Sequence, residues 1–210
     1  MPDQQLESER IEELTRALRA VMERVRTTRA PAEVLDRAVR TLLALDADLE
    51  THSHPGPYQQ TQLDASEAHG GEALATVDPQ AFFPYSPVIG SRNPMAPPAR
   101  FEVSDGKILG EVTLGPVFNG PPGSVHGGVT ALVFDEVLGC TALANGAGGY
   151  TGTLRIRYLK PIPIGAPVRL EGRMGEVEGR KASALGRMWV GDELCAEAEG
   201  VFIQRKEPMG

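Results

Sequence analysis

Cysteine is scarce in this chain, with only Cys140 and Cys195 in 210 residues. Two thiols so far apart make neither a disulfide framework nor a zinc-ligand spacing, and they read as a reduced, buried pair. Positive charge is also in short supply. Lys and Arg number 21 against 28 Asp and Glu, a formal net charge of −7. That balance excludes general nucleic-acid binding, which needs a basic footprint. Apolar runs look too short to span a bilayer, and the first residues are polar and acidic rather than signal-like. The expectation is a cytoplasmic protein with no membrane span. Missing as well are a Gly-x-Gly-x-x-Gly fingerprint, a P-loop and a Gly-x-Ser-x-Gly elbow, which removes support for Rossmann, nucleotide-triphosphate and serine-hydrolase readings. His52, His54 and His69 sit in polar, Pro/Gly-rich surroundings with no regular ligand spacing, so they read as solvated loop side chains and no metal is expected.

The hydrophobic content of 41% supports a true core. Residues 1–50 carry two helical patterns. Leu6, Ile11, Leu14, Leu18, Val21 and Val25 form one stripe; Val34, Leu35, Ala38, Val39, Leu42, Leu43 and Leu49 form the other, after Pro31. Two such helices make a thin core, so the hairpin is expected to pack on the main domain or on a partner chain. Residues 51–98 form an irregular, Pro-rich connecting segment. Its stretch Phe82–Pro98 is too apolar for a free linker and is expected to lie across the main domain, near the site. From 99 to 206 the pattern turns to strands. Asp105-Gly106 between two apolar runs signals a hairpin. Alternating stretches follow at Thr151–Tyr158, Val168–Val177, Ala182–Val190 and Leu194–Gln204. Between them, from about Gly127 to Ala144, runs one apolar helix. The spacing therefore predicts an α+β domain in which a mostly antiparallel sheet wraps a central helix.

The start of that helix is the most informative stretch. It reads Gly123-Ser124-Val125-His126-Gly127-Gly128, with Asp135 and Glu136 further along. A first turn with almost no side chains exposes unpaired amides at the positive end of the helix dipole, an arrangement suited to a developing oxyanion. A carboxylate on an apolar helix is costly unless it is paired or put to use. Gly127 and Asp135 lie eight residues apart, ~12 Å along one helix, too far for one carbonyl to touch both. Two copies arranged antiparallel about a two-fold would bring the two together, giving shared sites in a homodimer. Asp135 and Glu136 point ~100° apart, so one of them faces such a site, and spacing does not choose between them. The acid would activate water or attack directly, His126 would orient the loop or help hold the carbonyl, and Thr151 would hydrogen-bond the water or the acid. A basic group, Arg155, Arg157, Lys160, Arg180 and Lys181, offers phosphate contacts.

These residues resemble the hotdog-fold acyl-CoA thioesterases, in particular the phenylacetate-pathway type and its relatives. The shared loop is Phe-x-Gly-x-Pro-Gly-x-x-His-Gly-Gly, here Phe118 to Gly128, and the long strand after the helix is Thr151–Pro163. The resemblance covers about residues 100–204. It implies a hotdog fold, a curved antiparallel sheet around a long central helix, to which residues 1–50 add an N-terminal helical extension. It places the catalytic acid on Asp135 rather than Glu136, with Gly127, His126 and Thr151 as catalytic partners. Asn119, Gly128, Arg157, Arg180 and Lys181 fall on the substrate side, the last three towards coenzyme A. The implied reaction is hydrolysis of an acyl-CoA thioester to carboxylate and free coenzyme A, with no cofactor beyond the substrate's own coenzyme A. The implied assembly is a homodimer, or a dimer of dimers. The alternative is a non-catalytic acyl-CoA-binding or regulatory protein of the same fold; the hotdog hydratases, with a different acidic motif, stand behind it.

Overall fold

A computed structural model of the chain describes residues 2–53, 56, 58–61, 78–97 and 99–204, with side chains from Leu6 onward. His54 and His69 lie outside these residues. Two long helices come first, α1 (Pro2–Thr27) and α2 (Ala32–Glu50). A single helical turn, α3 (Pro79–Phe82), follows; the Asp78 carboxylate caps it by accepting from the Gln80 N–H. The strands are β1 (Arg100–Ser104), β2 (Lys107–Thr113), β3 (Tyr150–Tyr158), β4 (Pro167–Glu178), β5 (Lys181–Val190) and β6 (Glu193–Ile203). The long helix α4 (Gly127–Ala144) lies between β2 and β3 in sequence. All pairings are antiparallel, in the order β1-β2-β4-β5-β6-β3.

The β1–β2 hairpin turns where Asp-Gly announces it. Asp105 and Gly106 both take positive φ (49° and 71°), as a tight two-residue hairpin turn requires. Helix α4 is apolar all round, the pattern of a helix buried on several sides. Phe134 and Leu138 are fully buried, and Val133, Val137, Cys140 and Ala142 join them in the core. The sheet makes room for α4 with a row of small residues. Gly172 on β4, Gly186 on β5 and Ala198 on β6 are register partners. A methyl group added at Gly172 would overlap the buried Thr141 Oγ1, and one at Gly186 would lie 3.0 Å from the Phe134 ring. By length and composition α4 would also pass as a membrane span, so the apolar run is longer than the sequence reading allowed. Here it forms the centre of the fold and carries two carboxylates.

The Pro-rich segment completes the core from the side that the sheet leaves open. Phe82, Val88 and Ile89 are buried within it. Helix α1 fastens this segment. The Arg19 guanidinium donates to the carbonyls of Gly90 (2.6 Å) and Asn93 (2.7 Å), and the Ser91 hydroxyl donates to the Glu12 carboxylate (3.0 Å). Helix α2 does not dock in this way: none of its residues is buried. Of the two expected placements of the hairpin, on the main domain or on a partner chain, the first is seen for α1 alone.

Candidate active site

The loop before α4 is hydrogen-bonded nearly throughout. His126 N–H donates to the Phe118 carbonyl (2.9 Å), Gly120 N–H to the Ser124 carbonyl (2.8 Å) and Val125 N–H to the Ile162 carbonyl (2.8 Å). The Asn119 side chain ties the loop from inside, its Nδ2 donating to the carbonyls of Gly120, Pro121 and Ser124. Gly120 is required here, because a Cβ would lie 2.6 Å from the His126 Cα. Asn119, expected on the substrate side, thus has its amide nitrogen engaged in holding the loop.

His126 is the N-cap of α4. Its Nδ1 accepts from the Gly128 N–H at 2.9 Å. In the neutral ring this fixes the tautomer, leaving the hydrogen on Nε2, which faces outward as a donor. It also removes Gly128 from the pool of free amides. The backbone N–H groups of Val129 and Thr130 turn back to the His126 carbonyl. Among the described residues no hydrogen bond is made by the Gly127 N–H, so this amide is the one left open at the positive end of the dipole. The Tyr158 hydroxyl donates to the Gly127 carbonyl (2.9 Å) and fixes the first turn. Tyr158 was missed in the sequence; it lies 31 residues from Gly127, and nothing short of the β3 path links the two.

Further along α4, the Thr151 hydroxyl donates to Asp135 Oδ1 at 2.8 Å. One carboxylate oxygen is thereby held and the other left to act. Thr151 faces the helix only because β3 bulges beside it. Thr151 pairs with Phe202 and Thr153 with Val201, so Gly152 is an extra residue in β3. Strict alternation would put Thr151 on the outer face with Arg155 and Arg157; the bulge re-aims it inward.

Glu136 points elsewhere. It accepts from the hydroxyl of Ser86 (2.5 Å), whose oxygen also accepts from the amides of Val88 and Ile89. Ser86 is fully buried. Burial pushes the Glu136 carboxyl up to about 6, the neighbouring charge of Asp135 adds to the rise, and the Ser86 hydrogen bond opposes it. The two adjacent acids therefore have separate partners, Thr151 on β3 and Ser86 on the Pro-rich segment. The Ser86 contact spans 50 residues and had no signal in the sequence beyond the apolar character of its segment.

The predicted basic group divides. Arg155 and Arg157 lie on the outer face of the sheet, away from α4, paired with Glu199 (3.4 Å) and Glu197 (3.5 Å). Glu171, Arg187, Glu197 and Arg157 are register partners across β4, β5, β6 and β3, giving a row of alternating charge. Within one protomer Arg157 is thus not brought to Asp135. Lys160 is paired with Glu193. Arg180 donates to the Gln204 carbonyl (3.2 Å), and Lys181 stands opposite Ile203, which in turn faces Tyr150. Arg180 and Lys181 therefore sit at the Thr151 end of the sheet. Cys140 and Cys195 are free and buried, and burial raises both thiols above their ordinary range. Among the described residues no cluster of His, Cys, Asp or Glu could hold a metal ion.

The model of the thioesterase superfamily matches residues 122–201, which contain α4, Asp135, the next three strands and most of β6. The chain is similar to acyl-coenzyme A thioesterase THEM4 of Xenopus laevis, 35% identical over 92 residues, 43% of this chain and 41% of that protein. It is similar to acyl-coenzyme A thioesterase THEM5 of Homo sapiens, 33% identical over 92 residues, 43% of this chain and 37% of that one. The chain thus spans about two fifths of the length of these curated relatives. Among solved structures it is similar to protein RHA08564, a thioesterase superfamily protein, at 34% identity and a TM-score of 0.77. That match covers 92% of this chain and 94% of the other.

Proposed function

This chain belongs to the thioesterase superfamily, and from that membership we propose that it hydrolyses acyl-CoA thioesters in a homodimer with shared active sites. The observation that carries the proposal is a pair of prepared ends on one helix. At one end of the site the Gly127 amide is open. At the other, Asp135 is oriented by Thr151. Tyr158 contacts the first end and Thr151 the second, so β3 runs beside α4 in the opposite direction. Among the described residues strand β3 is also a sheet edge, bonded to β6 alone. A two-fold axis near Leu154–Arg155 would exchange the Tyr158 end of one β3 with the Thr151 end of the other. That operation carries the Gly127 N–H of one protomer towards Asp135 of the partner subunit.

In the reaction, the thioester carbonyl oxygen accepts from the Gly127 N–H, with the His126 Nε2–H as a second donor. Asp135 of the partner subunit takes a proton from water as the water oxygen bonds to the acyl carbon. The tetrahedral intermediate carries its negative charge on the former carbonyl oxygen, which the Gly127 N–H stabilises by donation. It collapses with breakage of the C–S bond, and the thiolate of coenzyme A recovers the proton. Direct attack by the carboxylate, followed by hydrolysis of the resulting anhydride, uses the same groups. Arg180 and Lys181, and Arg157 from across the two-fold, are proposed for the phosphates of coenzyme A. The chemistry draws on these groups and water alone.

Release of free thiol from a panel of acyl-CoAs tests the proposal. Wild-type protein is expected to turn over at least one member, and Asp135→Asn to lower kcat by ~10²-fold or more, as loss of a general base does. Equal turnover by both proteins would sink the assignment of Asp135. Tight binding of every acyl-CoA without turnover would replace hydrolysis by a binding function.

A further inference from the structure

The peptide unit between Gly127 and Gly128 is gripped at both ends. Its oxygen accepts from the Tyr158 hydroxyl at 2.9 Å, and its N–H donates to His126 Nδ1 at 2.9 Å. The phenol reaches it from β3, 31 residues away, and the imidazole from the residue just before the helix. Tyr158 is 55% exposed, so water could satisfy its hydroxyl; it donates to this one carbonyl instead. The two bonds share one amide and therefore act on each other. An amide delocalises its nitrogen lone pair into the carbonyl. Donation to the oxygen draws that density outward, leaves the N–H more positive and strengthens the bond that the N–H makes. A stronger bond to Nδ1 draws density from the imidazole in turn. That sharpens Nε2–H as a donor and holds the neutral ring in that tautomer.

We infer that Tyr158 is a positioning residue of the proposed site, acting on the substrate carbonyl through the Gly127–Gly128 amide and His126. The path runs from the Tyr158 hydroxyl to the Gly127 oxygen, through the peptide to the Gly128 N–H, on to His126 Nδ1 and out at Nε2–H. No proton moves along it; every donor keeps its hydrogen. The inference rests on the proposed hydrolysis for its substrate, because there the Nε2–H is the second donor to the thioester oxygen. As negative charge gathers on that oxygen, the bonds of the chain tighten together. The gain is therefore larger in the transition state than for bound substrate, and loss of the phenol oxygen falls on kcat rather than on KM. Pairing of β3 edges, part of the same proposal, would cover both bonds and strengthen them by excluding water.

Tyr158→Phe keeps the ring and removes only the hydroxyl. On an acyl-CoA that the wild type turns over, it is expected to lower kcat ~3–10-fold with KM unchanged, the scale of one hydrogen bond. A His126→Ala background separates this relay from plain support of the helix. There Tyr158→Phe should lower kcat no further, since the group it acts through is gone. Equal kcat for wild type and Tyr158→Phe, or the same fractional loss with and without His126, would overturn the inference. A second measurement needs neither turnover nor the His126 variant. In nitrogen–proton correlation spectra, with Gly128 and His126 assigned through the backbone, the neutral His126 ring of the wild type should carry its hydrogen on Nε2. Tyr158→Phe should shift the Gly128 amide proton upfield and move the Nδ1 signal towards that of a free imidazole. Unchanged Gly128 and His126 signals would overturn the relay on their own. If the wild type hydrolyses no acyl-CoA, the hydrolytic reading falls, and these spectra still decide whether Tyr158 acts on His126.

Discussion

Gly127 is the first helical residue of α4, and His126 before it is extended (φ −64°, ψ 132°). Both conformations suit a proline at position 127: proline is favoured at the first position of a helix, and the residue before it prefers extended backbone. A Cβ there would meet nothing closer than 3.7 Å, on the Tyr158 ring. Gly127→Pro therefore deletes one amide hydrogen and little else. The expected result is a fall in kcat of ~10²-fold or more, the usual loss with one oxyanion donor, with the melting temperature held; the checks are thiol release and calorimetry. Glu136 offers a second test at this scale. Its carboxyl is raised to about 6 from 4.5, so the folded state favours the protonated form. The stability this contributes is present below pH 4.5 and lost as pH rises through 6, so ionised Glu136 costs at most ~2 kcal/mol at pH 8. Glu136→Gln keeps an acceptor for Ser86 and removes the charge. Its melting temperature should exceed that of the wild type at pH 8 and match it at pH 4; a difference independent of pH would contradict the assignment.

Among the elements, β3 and α4 decide the site, and they were legible to different degrees. The Asp105-Gly106 turn, the strand alternations and the bare first turn of α4 were readable because each is a local pattern. The direction of Thr151 was not, because one extra residue at Gly152 reverses the face of everything on one side of it. The Tyr158–Gly127 and Ser86–Glu136 contacts were hidden too, since they join segments far apart in sequence. Thr151→Val keeps the strand and removes the hydroxyl that orients Asp135. A fall in kcat of ~10²-fold with sheet content retained is expected, as for a misplaced catalytic group, checked by thiol release beside circular dichroism. The helix seat gives a test of stability instead. Gly172→Ala places a methyl group on Thr141 Oγ1 and Val137, and overpacking of this kind costs ~1–3 kcal/mol, measurable by denaturant unfolding.

At the scale of the whole molecule, the separation of Gly127 from Asp135 along one helix is an argument for two chains, and the edge of β3 is the surface proposed for their pairing. Complementation tests it. Gly127→Pro and Asp135→Asn proteins are each expected to be nearly inactive. After subunit exchange in equal amounts, half of the dimers are mixed, and in each of these one of the two shared sites has both groups intact. The mixture should regain ~25% of wild-type activity; no recovery after proven exchange would place each site within a single chain.

Open sheet edges invite uncontrolled growth, and this one is guarded. Arg155 and Arg157 project from β3, and Gly152 kinks its beginning, so a foreign flat strand finds a poor template. Joining two β3 strands uses up both of these edges in one step. What then remains outermost is β1 at either end, five residues long and bearing Arg100 and Glu102. In the proposed dimer such stubs would terminate the ribbon, so the contact proposed to complete the shared sites would also stop further edge-to-edge growth.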